Sequence, residues 1–270
     1  MRKQRWNRFL VAVISILLVC ATCFAASAKN AENSDFEING TTLVKYNGPG
    51  GEVTVPEGIE ALADDAFDGS AVTKVNLPES LKSIGSHCFF NCYRLGEITL
   101  PASLEGLERE IQPFAYSALR EFKTAEGGHY KAVDGVLFTA DGKTLVCYPA
   151  GKTDKEYSIP EGTEKLGQSP FDEIRAETIN IPSTLTDMGD EYNVFVGTPN
   201  LQEFNVSPDN KKYYSVNGVL YTGNKLVNYP SKKYWINLKP TDFPAGLKEI
   251  GDDSFWGNEY LESVELPEGI

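Results

Sequence analysis

Histidine is nearly missing from this chain: among 270 residues only His87 and His129 occur. The usual general base of nucleophilic catalysis is therefore scarce, and neither histidine sits in a nucleophile motif. Cysteine is sparse as well. Of five, Cys20 and Cys23 fall in the first 28 residues, leaving Cys88, Cys92 and Cys147. So thin and odd a count is no disulfide framework, and a packed core has to hold the fold. Positive charge is short, with 25 Lys and Arg against 38 Asp and Glu. That excludes nucleic acid as a partner, since phosphates need a basic face, and it disfavours direct binding to anionic lipid. No D-x-[DN]-x-[DN]-G loop for calcium is present. No catalytic residue, cofactor or metal site is expected, and the ligand-binding residues stay unknown at this level.

What is there begins with an export signal. Arg2, Lys3, Arg5 and Arg8 precede an apolar run from Phe9 to Val19, and Ala26-Ser27-Ala28 offers small residues for cleavage after Ala28. A retained anchor is the rival reading, because Phe9 to Ala28 approaches the roughly 20 residues of a membrane span. Lipid attachment at Cys20 or Cys23 is the weaker one, since Val19 and Thr22 are poor preceding residues. Losing the four basic charges of residues 1–28 takes the net charge from −13 to −17, which favours solubility outside the cell. Residues 29–52 read as an N-terminal cap and 53–270 as the body.

The body repeats itself. VTVPEGIEALADDAFDG, VNLPESLKSIGSHCFFN and ITLPASLEGLEREIQPF follow one another, and SIPEGTEKLGQSPFDE, INIPSTLTDMGDEYNVF, FPAGLKEIGDDSFWG and VELPEGI come later. The marker prolines are Pro56, Pro78, Pro101, Pro160, Pro182, Pro244 and Pro267, spaced 22 or 23 residues within each run. Each unit has a short alternating strand stopped by proline, which cannot donate to a continuing ladder. Two apolar residues three apart, a glycine and a knob ending in phenylalanine follow. A unit this small cannot bury its apolar residues alone; stacking buries them in a continuous core beneath a parallel sheet. A longer period overlies this one. AVDGVLFTADGKTLVCYPAGK and SVNGVLYTGNKLVNYPSKK are one element repeated, Asp134 and Asn217 lying 83 residues apart. Asp-Gly and Asn-Gly between apolar runs predict β-hairpins inserted near 130–150 and 213–231.

The stretch LKSIGSHCFFNCYRLGEITLPASL, with INGTTLVKYNGPGGEVTVPEGI and SPDNKKYYSVNGVLY, resembles the BspA-like leucine-rich repeats of bacterial surface proteins over about residues 36 to 270. The resemblance implies an α/β class: a right-handed leucine-rich-repeat solenoid, strand-rich with short helical turns, carrying the two hairpin modules. It also implies export to the surface or medium and a binding or adhesion role, with no shared catalytic residues. Glu110-Ile111-Gln112 and Glu191-Tyr192-Asn193 lengthen their units, so the third and fifth coils should bulge.

Against that frame the chemistry-bearing residues read plainly. Phe67, Phe89, Phe114, Phe171 and Phe255 share a column, and Cys88 stands where Ala66, Pro113, Pro170 and Ser254 stand, a small-residue slot. Cys92 is a buried thiol of the core stack, behaving as a small apolar residue. His87 takes the position of Asp65 and Asp253 and is expected in solvent. His129 lies in a Gly-Gly-His loop. Asp64-Asp65, Asp252-Asp253, Glu108 and Glu110 read as solvated decoration rather than the facing carboxylates of a glycosidase. The outward strand positions Lys74, Asn76, Glu97, Thr99, Glu121, Lys123, Asn180, Glu203, Asn205 and Glu265 form the ladder that solenoids use for binding. The expected function is a secreted or cell-surface module, without enzymatic activity, that binds an extracellular protein or glycan. The alternative is a structural spacer in a longer surface protein, because the chain ends at VELPEGI in mid-repeat.

Overall fold

A computed structural model of the chain describes residues 35–189, 194–195 and 197–270. The expected export signal and the expected bulge at Glu191-Tyr192-Asn193 lie outside the described residues. Successive coils lay one short strand each onto a parallel sheet. Gly51–Thr54, Val72–Asn76, Glu97–Leu100 and Lys123–Thr124 pair in that order. Glu156–Ser158, Thr178–Ile181 and Glu203–Val206 form a second such sheet, and Asn237–Leu238 pairs with Ser263–Val264. Alternation does the sorting: in Glu97–Leu100 the side chains of Ile98 and Leu100 are buried while Thr99 is exposed. The sheet starts at Gly51, inside the stretch expected to be a cap.

A second row of strands runs down the other side. Thr42–Tyr46, Ala61–Leu62 and Ser83–Ile84 are parallel neighbours, as are Thr144–Cys147 with Lys165–Leu166 and Lys225–Asn228 with Glu249–Ile250. The two stretches expected as inserted hairpins are antiparallel meanders, Tyr130–Val133 to Val136–Thr139 to Thr144–Cys147, and Tyr213–Val216 to Val219–Thr222 to Lys225–Asn228. Their last strands belong to the coil stack itself, so neither meander is a separable module. A third copy of that strand opens the described chain: the hairpin Phe36–Asn39 with Thr42–Tyr46. TLVKY, TLVCY and KLVNY end in Tyr46, Tyr148 and Tyr229, and each tyrosine N–H donates to the small-slot carbonyl of the next coil, Ala66, Pro170 and Ser254, at 2.7–2.8 Å.

The expected helical component is a correction. Among the described residues there is no α-helix, only the 3-10 turns Leu107–Arg109 and Pro240–Asp242. The knob segments cannot propagate a helix because they pass through left-handed backbone, twice in the coils of Phe67, Phe89, Phe114 and Phe255. Asp65, His87, Gln112 and Asp253 have φ between 50° and 57°. Four residues further on, Gly69, Asn91, Tyr116 and Gly257 repeat it, with Glu173 after Phe171. Left-handed residues break the right-handed turn. The third coil departs as its extra residues require: Leu107–Arg109 turns 3-10 where its neighbours carry second-row strand.

Rings fill the interior. Phe67 stacks on Phe89 at 4.9 Å and Phe89 on Phe114 at 5.4 Å; Phe171 stacks on Phe195 at 5.7 Å. Tyr46 and Tyr229 extend the column onto Phe67 and Phe255. Offset stacks of this kind add about 0.5–1.5 kcal/mol to the area each ring buries. The signature serine of the turn has its own task. Ser80 and Ser103 donate to Ile59 and Leu81 carbonyls of the preceding coil, and Thr184 does the same to Thr163.

Candidate functional site

His87, Cys88 and Cys92, close together in the chain, have separate settings. Cys88 is fully buried in its small-residue slot. Cys92 donates from Sγ to the Phe67 carbonyl at 3.2 Å and lies 3.4 Å from Ser70 Oγ. Desolvation pushes both thiols up, Cys88 well above the ordinary value, so neither is poised as a thiolate. His87 is not in free solvent as expected: it is half-buried, and its ring meets Phe90 edge-on at 5.3 Å. Its column demands φ near 55°, a region where His, Asn and Asp are over-represented. Among the described residues no three His, Cys, Asp or Glu groups meet in a way that would hold a metal ion.

His129 sits at the mouth of a cleft of about 690 Å³ between the third coil and the first meander, with Glu105, Glu108, Arg109, Tyr130 and Asp141. Glu105 and Asp141 escaped the sequence reading because they come from separate elements joined only by folding. Most of the cleft's polar groups are already occupied. Tyr130 donates its hydroxyl to Glu108 Oε2 at 2.9 Å while accepting the Leu107 N–H at 2.7 Å. Burial raises that phenol. Asp141 accepts from the Thr139 hydroxyl at 2.7 Å and the Lys143 N–H at 2.9 Å, which hold its carboxyl below the usual range. His129 lies 3.9 Å from Glu105 and, among the described residues, bonds no hydroxyl or thiol. The arrangement lacks a nucleophile joined to a base.

The outward ladder is largely self-satisfied. Lys74 lies between Glu52 at 3.3 Å and Glu97 at 3.9 Å, and Lys123 between Glu97 at 3.5 Å and Glu121 at 3.9 Å. Asn76 donates to Glu52 and Thr54, Asn180 to Glu156 and Ser158, and Asn205 to Asn180. The Asn76 amide, ahead of Lys74, holds the Glu52 carboxyl below its usual range. Exposed pairs of this kind contribute little each, about 0–1 kcal/mol, but they fix the face as a stiff polar strip. Asp64, Glu110 and Asp252-Asp253 stand apart from the cleft: Asp64 accepts the Ser86 N–H, and Glu110 accepts the Ser86 hydroxyl.

The exposed aromatics are the group that the sequence reading missed. Among the described residues, Tyr93, Tyr116, Tyr234, Trp256 and Tyr260 are large aromatic side chains left exposed. All five lie in the turns just after the ring column. The available signal was the column itself, counted one to five positions onward from each ring.

A strand-rich solenoid of short coils, each with a proline-stopped strand and a buried ring, is a leucine-rich-repeat protein. The BspA type leucine rich repeat region matches in six copies over residues 47–131, 153–231 and 231–270, and the chain belongs to that family. A leucine rich cell surface protein from Faecalibacterium prausnitzii is similar at 22% identity and a TM-score of 0.52, covering 80% of this chain and 59% of that one. A leucine-rich repeat protein from Eubacterium ventriosum gives 17% identity and a TM-score of 0.48 over 82% of this chain and 67% of its own. The pneumococcal vaccine antigen PcpA gives 19% and 0.45 over 81% and 62%. The chain thus spans about three fifths of the length of the Faecalibacterium protein and of PcpA. Among proteins with curated descriptions, none matches this chain.

Proposed function

We propose that this chain is a secreted or surface-displayed bacterial binding module that holds an extracellular protein or glycan and carries out no chemistry. The observation supporting it is the aromatic edge. Tyr93, Tyr234 and Trp256 are each more than 60% exposed, on turns where coil stacking needs no aromatic side chain. Exposed aromatics are the commonest anchors of binding surfaces. The family membership, the description of the Faecalibacterium protein as a cell surface protein, and the export signal at residues 1–28 fit that setting. The test is a panel of immobilised extracellular-matrix proteins and glycans probed with the purified secreted chain. Saturable binding that falls when Tyr93, Tyr234 and Trp256 are replaced together by serine is the expected result. Binding to nothing on the panel, or binding indifferent to the triple substitution, refutes the proposal.

The spacer reading has its own support in the self-satisfied ladder, which stiffens the sheet without leaving groups free for a ligand. Full cell-surface adhesion by a strain whose copy of the gene carries the triple substitution would favour it.

A further inference from the structure

Three consecutive coils place Asn200, Tyr234 and Tyr260 in one column, each just before a residue packed into the coil, Leu201, Trp235 and Leu261. Tyr234 and Tyr260 meet edge to face at 5.3 Å between centroids. With Glu177, Gln202 and Lys232 they line a hollow of about 300 Å³. Tyr234 leaves 68% of its surface exposed there.

The charges of the hollow are already matched. Glu177 pairs with Lys155 at 2.8 Å, and Lys232 pairs with Glu259 at 2.9 Å while lying 5.2 Å from the Tyr260 ring centre. The groups left over are uncharged. Among the described residues no hydrogen bond engages the side-chain amides of Asn200 and Gln202 or the hydroxyl of Tyr234. A site with neutral donor-acceptor amides beside two aromatic rings does not select an anion or a cation. It suits a ring with an apolar C–H face and hydroxyls around its edge. The column also runs from coil to coil, the Lys232 N–H meeting the Leu201 carbonyl at 2.7 Å and the Glu262 N–H the Ile236 carbonyl at 2.8 Å, so that successive sugar rings can meet successive side chains.

The stacking of coils does not require this set. The first half of the chain builds the same corner without it. Aligning LREF with LQEF places Ala118 and Arg120 where Asn200 and Gln202 stand, and aligning the two Tyr-Pro pairs places Gly151 and Thr153 where Lys232 and Tyr234 stand.

We infer that this hollow is a saccharide subsite for neutral hexopyranose units of an extracellular glycan. Tyr234 and Tyr260 stack the rings, and Asn200 and Gln202 bond the hydroxyls. The inference rests on the binding role proposed above and names its ligand class and place. The experiment is titration calorimetry of the purified secreted chain with cellohexaose, mannohexaose and chitohexaose, and with a galacturonate hexamer as the anionic comparison. At least one neutral hexamer binds saturably, and Tyr234→Ala and Asn200→Ala each weaken it about tenfold, the loss of one aromatic or hydrogen-bonding contact. Glu126→Ala, at an exposed turn in the first half of the chain, leaves the affinity unchanged, and Tyr234→Ala keeps the wild-type melting temperature because its ring is exposed. No binding of any neutral hexamer, tighter binding of the anionic one, or an affinity indifferent to Tyr234→Ala overturns the inference. If the chain still captures an immobilised matrix protein in those cases, the binding role survives and only the saccharide subsite falls. If nothing is captured, both fall.

Discussion

Asp172 offers the sharpest test of the packing described above. It is a buried carboxylate, 6% exposed, one residue beyond Phe171 in the ring column. Its Oδ1 accepts from Gln112 Nε2 at 3.0 Å, and its Oδ2 has no hydrogen-bond partner among the described residues. Glu173 is its neighbour, and the buried Cys147 and the Tyr116 phenol feel its charge. Desolvation is the main cause that lifts its pKa from 3.8 to about 8, against the Gln112 hydrogen bond, which lowers it. The folded value is the higher one, so the sign follows. Below pH 4 both states hold the proton and the contribution to stability is whole. As pH rises the unfolded chain ionises first, and stability drains away until the folded carboxyl ionises near pH 8. A window of roughly 4 pH units at about 1.4 kcal/mol each sets a ceiling on the order of 5 kcal/mol. Asp172→Asn keeps the shape and does not titrate. Urea unfolding followed by circular dichroism from pH 4 to pH 8 compares the two proteins, and their other titrations cancel in the difference. The variant matches wild type within about 1 kcal/mol at pH 4 and exceeds it by as much as ~5 kcal/mol at pH 8. A difference that stays constant over the whole range would show a carboxyl titrating at its ordinary value, and the reasoning would be wrong.

Further outcomes follow from the columns. Cys92→Ala removes the sulfur's hydrogen bond to the Phe67 carbonyl, which keeps the Ser70 N–H at 2.9 Å, and leaves a void in the core; together these cost about 1–3 kcal/mol. Cys92→Ser retains most of that, as Ser70 and Ser117 already stand in the column, while Cys88→Ala costs on the order of 1 kcal/mol because alanine fits its slot; chemical denaturation of the three variants distinguishes them. His87→Asn is neutral or stabilising, whereas His87→Val is destabilised by about 1–2 kcal/mol, since φ is 55° there; thermal melts settle the order. Gly85→Ala puts its Cβ 2.6 Å from the Asp64 backbone nitrogen, an overpacking of about 1–3 kcal/mol readable as a lowered urea midpoint.

Much of the architecture was legible because one residue type repeats at one place. The prolines, the ring phenylalanines and the small slot holding Cys88 could be laid in register by counting, and the rings do stack in that register. The candidate surfaces were less legible. Glu105 and Asp141 meet His129 only through the packing of a coil against a meander. Tyr234 and Tyr260 lie 26 residues apart in the chain, in a unit whose proline spacing is irregular, so counting did not align them. The helical turns expected by resemblance are reduced, among the described residues, to two 3-10 turns, and for a backbone reason. Gln112, Tyr116 and Glu173 hold left-handed φ although their side chains do not favour it. Neighbouring coils impose it there: the N–H groups of His87, Phe89 and Asn91 take the carbonyls of Ile111, Pro113 and Ala115.

By itself the sequence determined that this chain stacks. A unit of some 22 residues, with too few apolar side chains to fold alone, repeats with its core positions in phase, and burial then leaves one arrangement. The tertiary structure decided what the surface offers. It paired the ladder charges with one another, occupied the carboxylates around His129, and left a neutral aromatic hollow beside Tyr234. Those outcomes depend on distances between side chains of different coils, which a linear pattern does not carry.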